Sequence, residues 1–299
     1  MLDIMKKYKG SIILLITALI WGFAFVFQKD SMNHIGPFTF LGIRGLIAGI
    51  ILIPLSFLLE NKNTEKEISY KSEIIIGLLS GLFLFLGSAF QQIGLVKVSA
   101  TKGGFLTSTY IVFVPVLGLL FKKKTSVKNW LCAALALVGF FIMCSGGAFN
   151  NSKSLLPEGM DFVVLMGAVF FALQIIIIDK FALKVNATRL NGYAFLLVGI
   201  VSSICALFNE TLTLQGLKSS IVAILYVSIF SSCIAYTLQI VGQKYTKPEV
   251  ASLIMSLESV FALLGGVMFL SETLKYYEII GCCIIFICVI VSQINFKKV

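Results

Sequence analysis

Long apolar runs separated by short polar connections make up almost the whole chain. A helix needs about 20 successive apolar residues to cross the hydrocarbon core of a bilayer. Ten runs are of about that length, at residues 10–28, 37–59, 74–95, 100–121, 127–145, 161–183, 190–208, 218–242, 247–270 and 275–295. The pattern therefore predicts an all-α integral membrane protein with ten transmembrane helices. Its most polar connections, 60–73 and 146–160, are too short to hold a soluble catalytic domain.

The first run is predicted to be a retained span rather than a cleaved signal peptide. It follows Lys6, Lys7 and Lys9, as a signal peptide would. It is longer than the apolar region of a signal peptide, lacks an evident small-residue cleavage site and leads directly into further spans.

Composition and charge narrow the class of protein further. Of 299 residues, 58% are hydrophobic and 13% charged, against about 25% charged in an average soluble protein. The net charge of +10 lies in short clusters between apolar runs, so no basic patch indicates a nucleic-acid partner. The seven Cys residues all lie in apolar runs without a CxxC pair, which indicates small packing residues rather than disulfides or metal ligands.

The distribution of Lys and Arg predicts the orientation in the membrane. Cytoplasmic connections carry an excess of positive charge. With the N-terminus inside, 17 of the 24 Lys and Arg residues, Arg189 among them, lie on the inner side, six lie outside, and Arg44 lies within the membrane. Both termini are therefore expected in the cytoplasm.

The two halves of the chain resemble each other at a shift of about 149 residues. Ala18-Leu-Ile-Trp21-Gly22 falls over residues 168–172 at a shift of 150, and residues 97–110 fall over 246–259 at 149. Five spans is an odd number, so the second half must cross the membrane upside down relative to the first. We expect repeats at 1–149 and 150–299 around a central cavity, because inverted repeats with a site between them are typical of secondary transporters.

Arg44 is a charged residue that lipid should exclude from a span. It lies about two turns into the second span, beside a track of small residues at which a neighbouring helix can approach closely. A charge at that depth costs at least about 2.5 kcal/mol. Arg44 is therefore either an anion-binding or charge-relay group, or it forms a structural ion pair or extends to the outer surface.

Glu258 is the acidic counterpart, eleven residues from either end of the ninth span. Ser252, Ser256 and Ser259 form an adjoining hydroxyl track at helical spacing. Glu258 is a candidate proton carrier, and hence the proton-coupling candidate, or a binder of amino groups. The alternative is a structural role in a hydrogen-bond network between helices.

Polar residues also form a narrow stripe on the eighth span, where Ser228, Ser232, Tyr236, Gln239 and Gln243 cover an arc of about 80°. Such a stripe lines a wet cavity or a polar helix contact, and packing between helices is the alternative for each residue taken singly. The fifth and tenth spans lack such residues and suit a lipid-facing position. The full set of substrate-cavity candidates is Trp21, Arg44, Gln91, Gln92, Thr107, Tyr110, Gln174, Ser232, Tyr236, Gln239, Ser256 and Glu258.

Several enzymatic chemistries find no support in the sequence. There is no GxxxxGK[ST] phosphate loop for ATP hydrolysis. The single histidine, His34, lies in a connection without a nucleophile elbow. No Asp, Glu and His cluster has metal-ligand spacing. We therefore expect no enzyme activity, no cofactor and no metal.

Two groups of motifs resemble the EamA-type transporters of the drug/metabolite transporter superfamily. The opening carries Ala18-Leu-Ile-Trp21-Gly22-Phe-Ala-Phe25, then Pro37 and Leu41-Gly-Ile-Arg44-Gly-Leu-Ile-Ala48; the close carries Ser256-Leu-Glu258-Ser259-Val-Phe-Ala262 and Leu270-Ser-Glu272-Thr-Leu. Trp21, Arg44 and Glu258 belong to the family pattern. The chain departs from it at Ser259, which replaces a common proline that would kink span nine, and at Lys123, where the first repeat often has an acidic residue.

The resemblance implies an inner-membrane carrier of small metabolites, often an exporter of amino acids or drugs, with a cavity framed by spans one to four and six to nine. We expect a ten-helix secondary transporter that moves its substrate outward by alternating access. The alternatives are a multidrug exporter, a facilitative channel, and a non-transporting sensor or subunit. The expected partners are a small-molecule substrate, the lipid bilayer and protons as a candidate coupling ion, in a monomer or weak homodimer.

Overall fold

The computed structural model describes residues 2–59, 68–145, 159–270, 273 and 275–293, and the side chains of residues 8–59, 68–142, 159–270, 273 and 275–293. Within these ranges all regular secondary structure is helical. Ten helices cross the fold: α1 (Leu2–Ser31), α2 (Pro37–Leu58), α3 (Tyr70–Leu95), α4 (Ala100–Leu120), α5 (Val127–Ser145), α6 (Met160–Phe181), α7 (Ala187–Asn209), α8 (Leu214–Gln243), α9 (Pro248–Phe269) and α10 (Tyr276–Gln293).

The prediction of ten transmembrane helices is confirmed. Nine helices are long and apolar enough to cross a membrane, and α5 is a shorter apolar helix. Helix bounds agree with the predicted spans within four residues, except that α1 begins at Leu2. Side-chain caps begin several helices as expected from local chemistry, since a backbone N–H three residues on donates to the side chain of Ser69, Ser99, Asn186 or Thr213.

The chain forms two inverted halves, α1–α5 and α6–α10. Helix α1 ends at Ser31 and α6 at Phe181, and α2 begins at Pro37 and α7 at Ala187, all at a shift of 150. Buried positions over 21–30 recur over 171–180. Helix α2 packs on α7, α5 on α10, α1 on α8 and α9, and α6 on α3 and α4, as a two-fold relation requires. The predicted boundary between residues 149 and 150 lies outside the described residues.

Helices α5 and α10 form a peripheral pair. Only 28% of the most apolar stretch of α10 is buried inside the protein, against 72% of that of α9. Ile279, Phe286 and Ile290 are among the exposed apolar side chains of α10. This is the composition expected of a helix that faces lipid.

Three helices are interrupted near the centre of the fold. Helix α4 breaks at Thr109 and α9 at Ser256 and Leu257, and α8 is a π-helix over Val227–Ala235. The break in α9 arises although no proline follows Glu258. Instead, the hydroxyls of the track at Ser252, Ser256 and Ser259 donate to carbonyls three residues earlier, which competes with regular helical bonding.

Buried and half-buried ion pairs join the two halves. Lys102 pairs with Asp161 at 2.7 Å, and Lys123 pairs with Asp179. Arg189, expected in an inner connection, is instead fully buried in the first turn of α7, where its Nη1 lies 2.8 Å from Oε2 of Glu73 on α3.

Candidate substrate cavity

A central cavity lies between the halves, lined from α1, α2, α3, α4, α6, α8 and α9. The space between its side chains, counted to its open edge, is about 430 Å³. The breaks in α4 and α9 lie beside it, an arrangement that places irregular backbone only where it borders a site. The lining residues are Trp21, Phe25, Gln28, Arg44, Gln91, Thr107, Tyr110, Phe171, Gln174, Ile175, Ser231, Tyr236, Gln239 and Glu258.

Arg44 supplies a buried positive charge to this cavity, with 2% of the residue exposed. Its Nη1 donates to Oε1 of Gln28 at 3.0 Å, and its guanidinium lies beside the Tyr236 hydroxyl and 5.8 Å from the Phe195 ring centroid. Its Nε has no hydrogen-bond partner, and no described carboxylate lies within 4.0 Å. Among the described residues, the guanidinium therefore contacts neutral groups only.

Glu258 supplies a buried carboxyl group to the cavity and is also 2% exposed. It begins the second segment of α9, so its position depends on the break before it. Ser108 donates to its Oε1 over 3.4 Å, and the Tyr110 hydroxyl lies beside the carboxylate. No Lys, Arg or His of the described chain lies within ion-pair distance, so Glu258 and Arg44 do not pair with each other.

The Tyr236 hydroxyl lies beside the Arg44 guanidinium. Its ring centroid is 4.6 Å from that of Trp21 and 5.1 Å from that of Phe195. The indole Nε1 of Trp21 is buried without a hydrogen-bond partner among the described residues. The cavity thus has an aromatic wall next to Arg44.

Paired amides form the rest of the polar lining. Gln174 on α6 and Gln239 on α8 each donate Nε2 to the other's Oε1, at 3.4 and 3.1 Å. Gln91 on α3 donates to Oγ1 of Thr107 at 3.0 Å. These contacts join helices around the cavity while leaving the charged groups without partners of opposite sign.

The family model for the EamA-like transporter family matches residues 8–145 and again residues 159–293. The chain belongs to the EamA-like transporter family. The resemblance noted from the opening and closing motifs is thereby confirmed, and the protein is a multi-pass membrane transporter.

Relatives of this EamA-like transporter carry transporter names. An uncharacterized transporter of Archaeoglobus fulgidus is 32% identical over 97% of this chain and 87% of its own length. The uncharacterized inner membrane transporter YedA of Escherichia coli K12 is 25% identical over 87% of this chain and 82% of its own. A solved crystal structure matches with a TM-score of 0.74 at 16% identity over 96% of both chains, which shows a shared fold.

Of the twelve predicted cavity residues, nine line the cavity: Trp21, Arg44, Gln91, Thr107, Tyr110, Gln174, Tyr236, Gln239 and Glu258. The other three lie outside the lining. Gln92 donates over 3.4 Å to the carbonyl of Gln28, and the Ser256 hydroxyl donates to Leu253 within the α9 break. Ser232 is fully buried away from the cavity, and its carbonyl accepts from Asn191.

Five lining residues of the transporter were not singled out from sequence: Phe25, Gln28, Phe171, Ile175 and Ser231. Gln28 had a detectable signal, because it lies seven residues, about two helical turns, after Trp21. Ser231 had none. A π-helix has wider turns than an α-helix, so the 100° spacing used for the α8 stripe does not hold at Val227–Ala235, and Ser231 lines the cavity where Ser232 was expected.

Proposed function

We propose that this transporter exports small zwitterionic metabolites of the amino-acid class by alternating access through the central cavity. The observation that carries the proposal is the presence of Arg44 and Glu258, two buried opposite charges in one cavity that do not pair. Buried charges are normally compensated. A substrate with a carboxylate and an ammonium would compensate both at once.

Glu258 also supports coupling to protons. A carboxyl group that binds either a proton or a substrate ammonium exchanges one for the other, which drives the substrate outward when protons enter. The Tyr110 hydroxyl beside the carboxylate and the Ser108 hydroxyl supply the polar contacts for either form. The proposal includes a bacterial-type inner membrane with both termini in the cytoplasm, based on the Lys and Arg distribution.

A reconstitution experiment tests the function. The full chain is placed in proteoliposomes loaded with labelled amino acids, nucleosides or cationic drugs, and efflux and counterflow are measured. We expect saturable counterflow of at least one amino acid. Transport of no amino acid, or non-saturable flux far above about 10³ per second, the upper range of typical turnover numbers, contradicts the proposal and in the second case favours a channel.

A multidrug exporter is the second candidate, and the aromatic wall favours it. Trp21, Tyr110, Phe171 and Tyr236 offer ring faces to an apolar cation, and Glu258 offers a counter-charge. The buried Arg44 argues against it, because a cationic drug gains nothing from an unpaired guanidinium. Saturable transport of cationic drugs without transport of amino acids would favour this candidate.

A further inference from the structure

The chain has only two Arg residues beside 22 Lys, and the structure buries both in different ways. Arg189 lies 2.8 Å from the Glu73 carboxylate, and its guanidinium lies 4.5 and 4.7 Å from the rings of Phe57 and Tyr70. Arg44 is equally buried but has no carboxylate beside it in the described chain. An uncompensated buried charge is strongly unfavourable, and an anion that enters the cavity would compensate Arg44.

The hydrogen bonds of Arg44 show which of its groups remain for a ligand. Nη1 is used by Oε1 of Gln28, which fixes the rotation of the planar guanidinium. Nε is buried without an acceptor. Gln28 and Arg44 both line the cavity, so the bond between them orients the guanidinium within the site.

Trp21 supplies a second N–H donor without an acceptor. The residue is 9% exposed and lines the same cavity, and its Nε1 has no partner in the described structure. Its ring packs on Tyr236 at 4.6 Å, and the Tyr236 hydroxyl lies beside Arg44. Both unsatisfied donors therefore adjoin the same tyrosine, and buried donors of this kind are normally hydrogen-bonded.

We infer that Arg44 and Trp21 form the subsite for the substrate carboxylate and that Gln28 is its positioning residue. The inference rests on the proposed function and specifies how the anionic end of the substrate is recognised. A monoanionic carboxylate fits better than a phosphate, because one guanidinium is the only cation among the lining residues and Glu258 in the same cavity repels a dianion.

The test compares amino acids with their methyl esters, which keep the ammonium but lack the carboxylate. Purified full-length protein in detergent is titrated with all twenty L-amino acids and the matching esters, and affinity is read from thermal stabilisation. For each bound amino acid we expect the wild-type protein to prefer the acid by roughly 10- to 100-fold, the range of hydrogen bonds to a charged group. The acid-to-ester ratio is the readout, because a purely structural role would not change it.

The variants separate binding from positioning. Arg44→Gln should abolish the preference, and Trp21→Phe should reduce it several-fold while keeping an aromatic ring. Gln28→Glu should pair with Arg44 and abolish acid binding while ester binding remains, and Gln28→Met should reduce the preference by removing the acceptor. The matched control is Gln243→Met. Gln243 is a buried glutamine that is absent from the cavity lining and donates to the backbone carbonyl of Ile175, so its loss leaves the lining side chains unchanged and should keep the wild-type ratio.

The outcomes distinguish the two claims. Amino-acid binding with an unchanged ratio in Arg44→Gln and Gln28→Glu overturns the subsite and leaves the proposed function in place. Binding of no amino acid by the wild-type protein overturns the proposed function and the subsite with it. If Arg44→Gln does not fold, Gln28→Glu and Trp21→Phe decide the result.

Discussion

At the scale of single residues, Glu258 experiences two opposing influences. It begins a helical segment, where the positive end of the helix dipole favours a negative charge, and it is buried, which disfavours an isolated charge. The carboxyl group is thus suited to bind and release a cation. If that cation is a proton, Glu258→Gln should abolish transport driven by a proton gradient in proteoliposomes. Substrate counterflow should remain, but with a weaker apparent affinity, because the variant loses the counter-charge for the substrate ammonium.

Glu249→Gln is the matched control for this prediction. Glu249 lies on the same helix, is also buried, and is absent from the cavity lining. The control should retain gradient-driven transport. Full gradient-driven transport by Glu258→Gln would remove the coupling role and leave Glu258 as a binding group only.

At the scale of helices, the crossing of α2 and α7 holds the halves together through direct backbone contact. A Cβ atom on Gly199 would lie 2.8 Å from the backbone carbonyl carbon of Gly45 and closer still to the backbone nitrogen of Leu46, where no flexible side chain can yield. Small residues permit this approach, as is typical of helices packed in membranes. Gly199→Ala should therefore force the helices apart and lower the free energy of unfolding by about 1–3 kcal/mol, the usual range for overpacking.

Gly118→Ala provides the comparison, measured by thermal unfolding in the same detergent. Gly118 lies within the second segment of α4, and its nearest neighbour for an added Cβ is Cβ of Lys123 at 3.8 Å, an ordinary contact. The free energy of unfolding of this variant should equal that of the wild type or exceed it by about 0.5–1 kcal/mol, because Ala is more favourable than Gly inside a helix. Equal stability of the two variants would show that the α2 and α7 backbones can separate without loss.

At the scale of the whole molecule, two ion pairs join the same helices at opposite ends. Lys102 in the first turn of α4 pairs with Asp161 of α6, and Lys123 just after the end of α4 pairs with Asp179. The two acids are 18 residues apart on α6, about 27 Å, which is close to the thickness of the bilayer core. Alternating access requires one end to open. Lys102→Glu should open the end of the protein at Lys102. In a cysteine-free protein that carries a single cysteine at position Thr107, an impermeant thiol reagent should then react about fivefold faster. A fivefold change corresponds to an ion pair that contributes about 1 kcal/mol.

Reversal of the charges provides the check. Adding Asp161→Lys to Lys102→Glu should restore the slow labelling, and Lys97→Glu, in the connection before α4, should not change it. Labelling that stays slow in Lys102→Glu, or stays fast after the reversal, would show that this pair does not hold the end closed.

The sequence alone was sufficient for the ten spans, the inverted halves and the family. The bilayer imposes this result locally, because every spanning segment must be apolar and helical over its own length. Arg44 and Glu258 could be selected on the same basis, since each is a charge within an apolar run. Both lie in the lining, together with seven others of the twelve predicted cavity residues.

Only the tertiary structure decides which polar groups meet. Arg189 contacts Glu73 across 116 positions of the chain, whereas Arg44 contacts Gln28 and no carboxylate among the described residues. Ser231 rather than Ser232 lines the cavity because α8 widens into a π-helix there. Whether a segment is apolar enough to span the membrane depends on its own side chains, so the sequence predicts it directly. Which polar side chains contact each other depends on how each helix is rotated and how the helices cross. The packing of all ten helices together determines both.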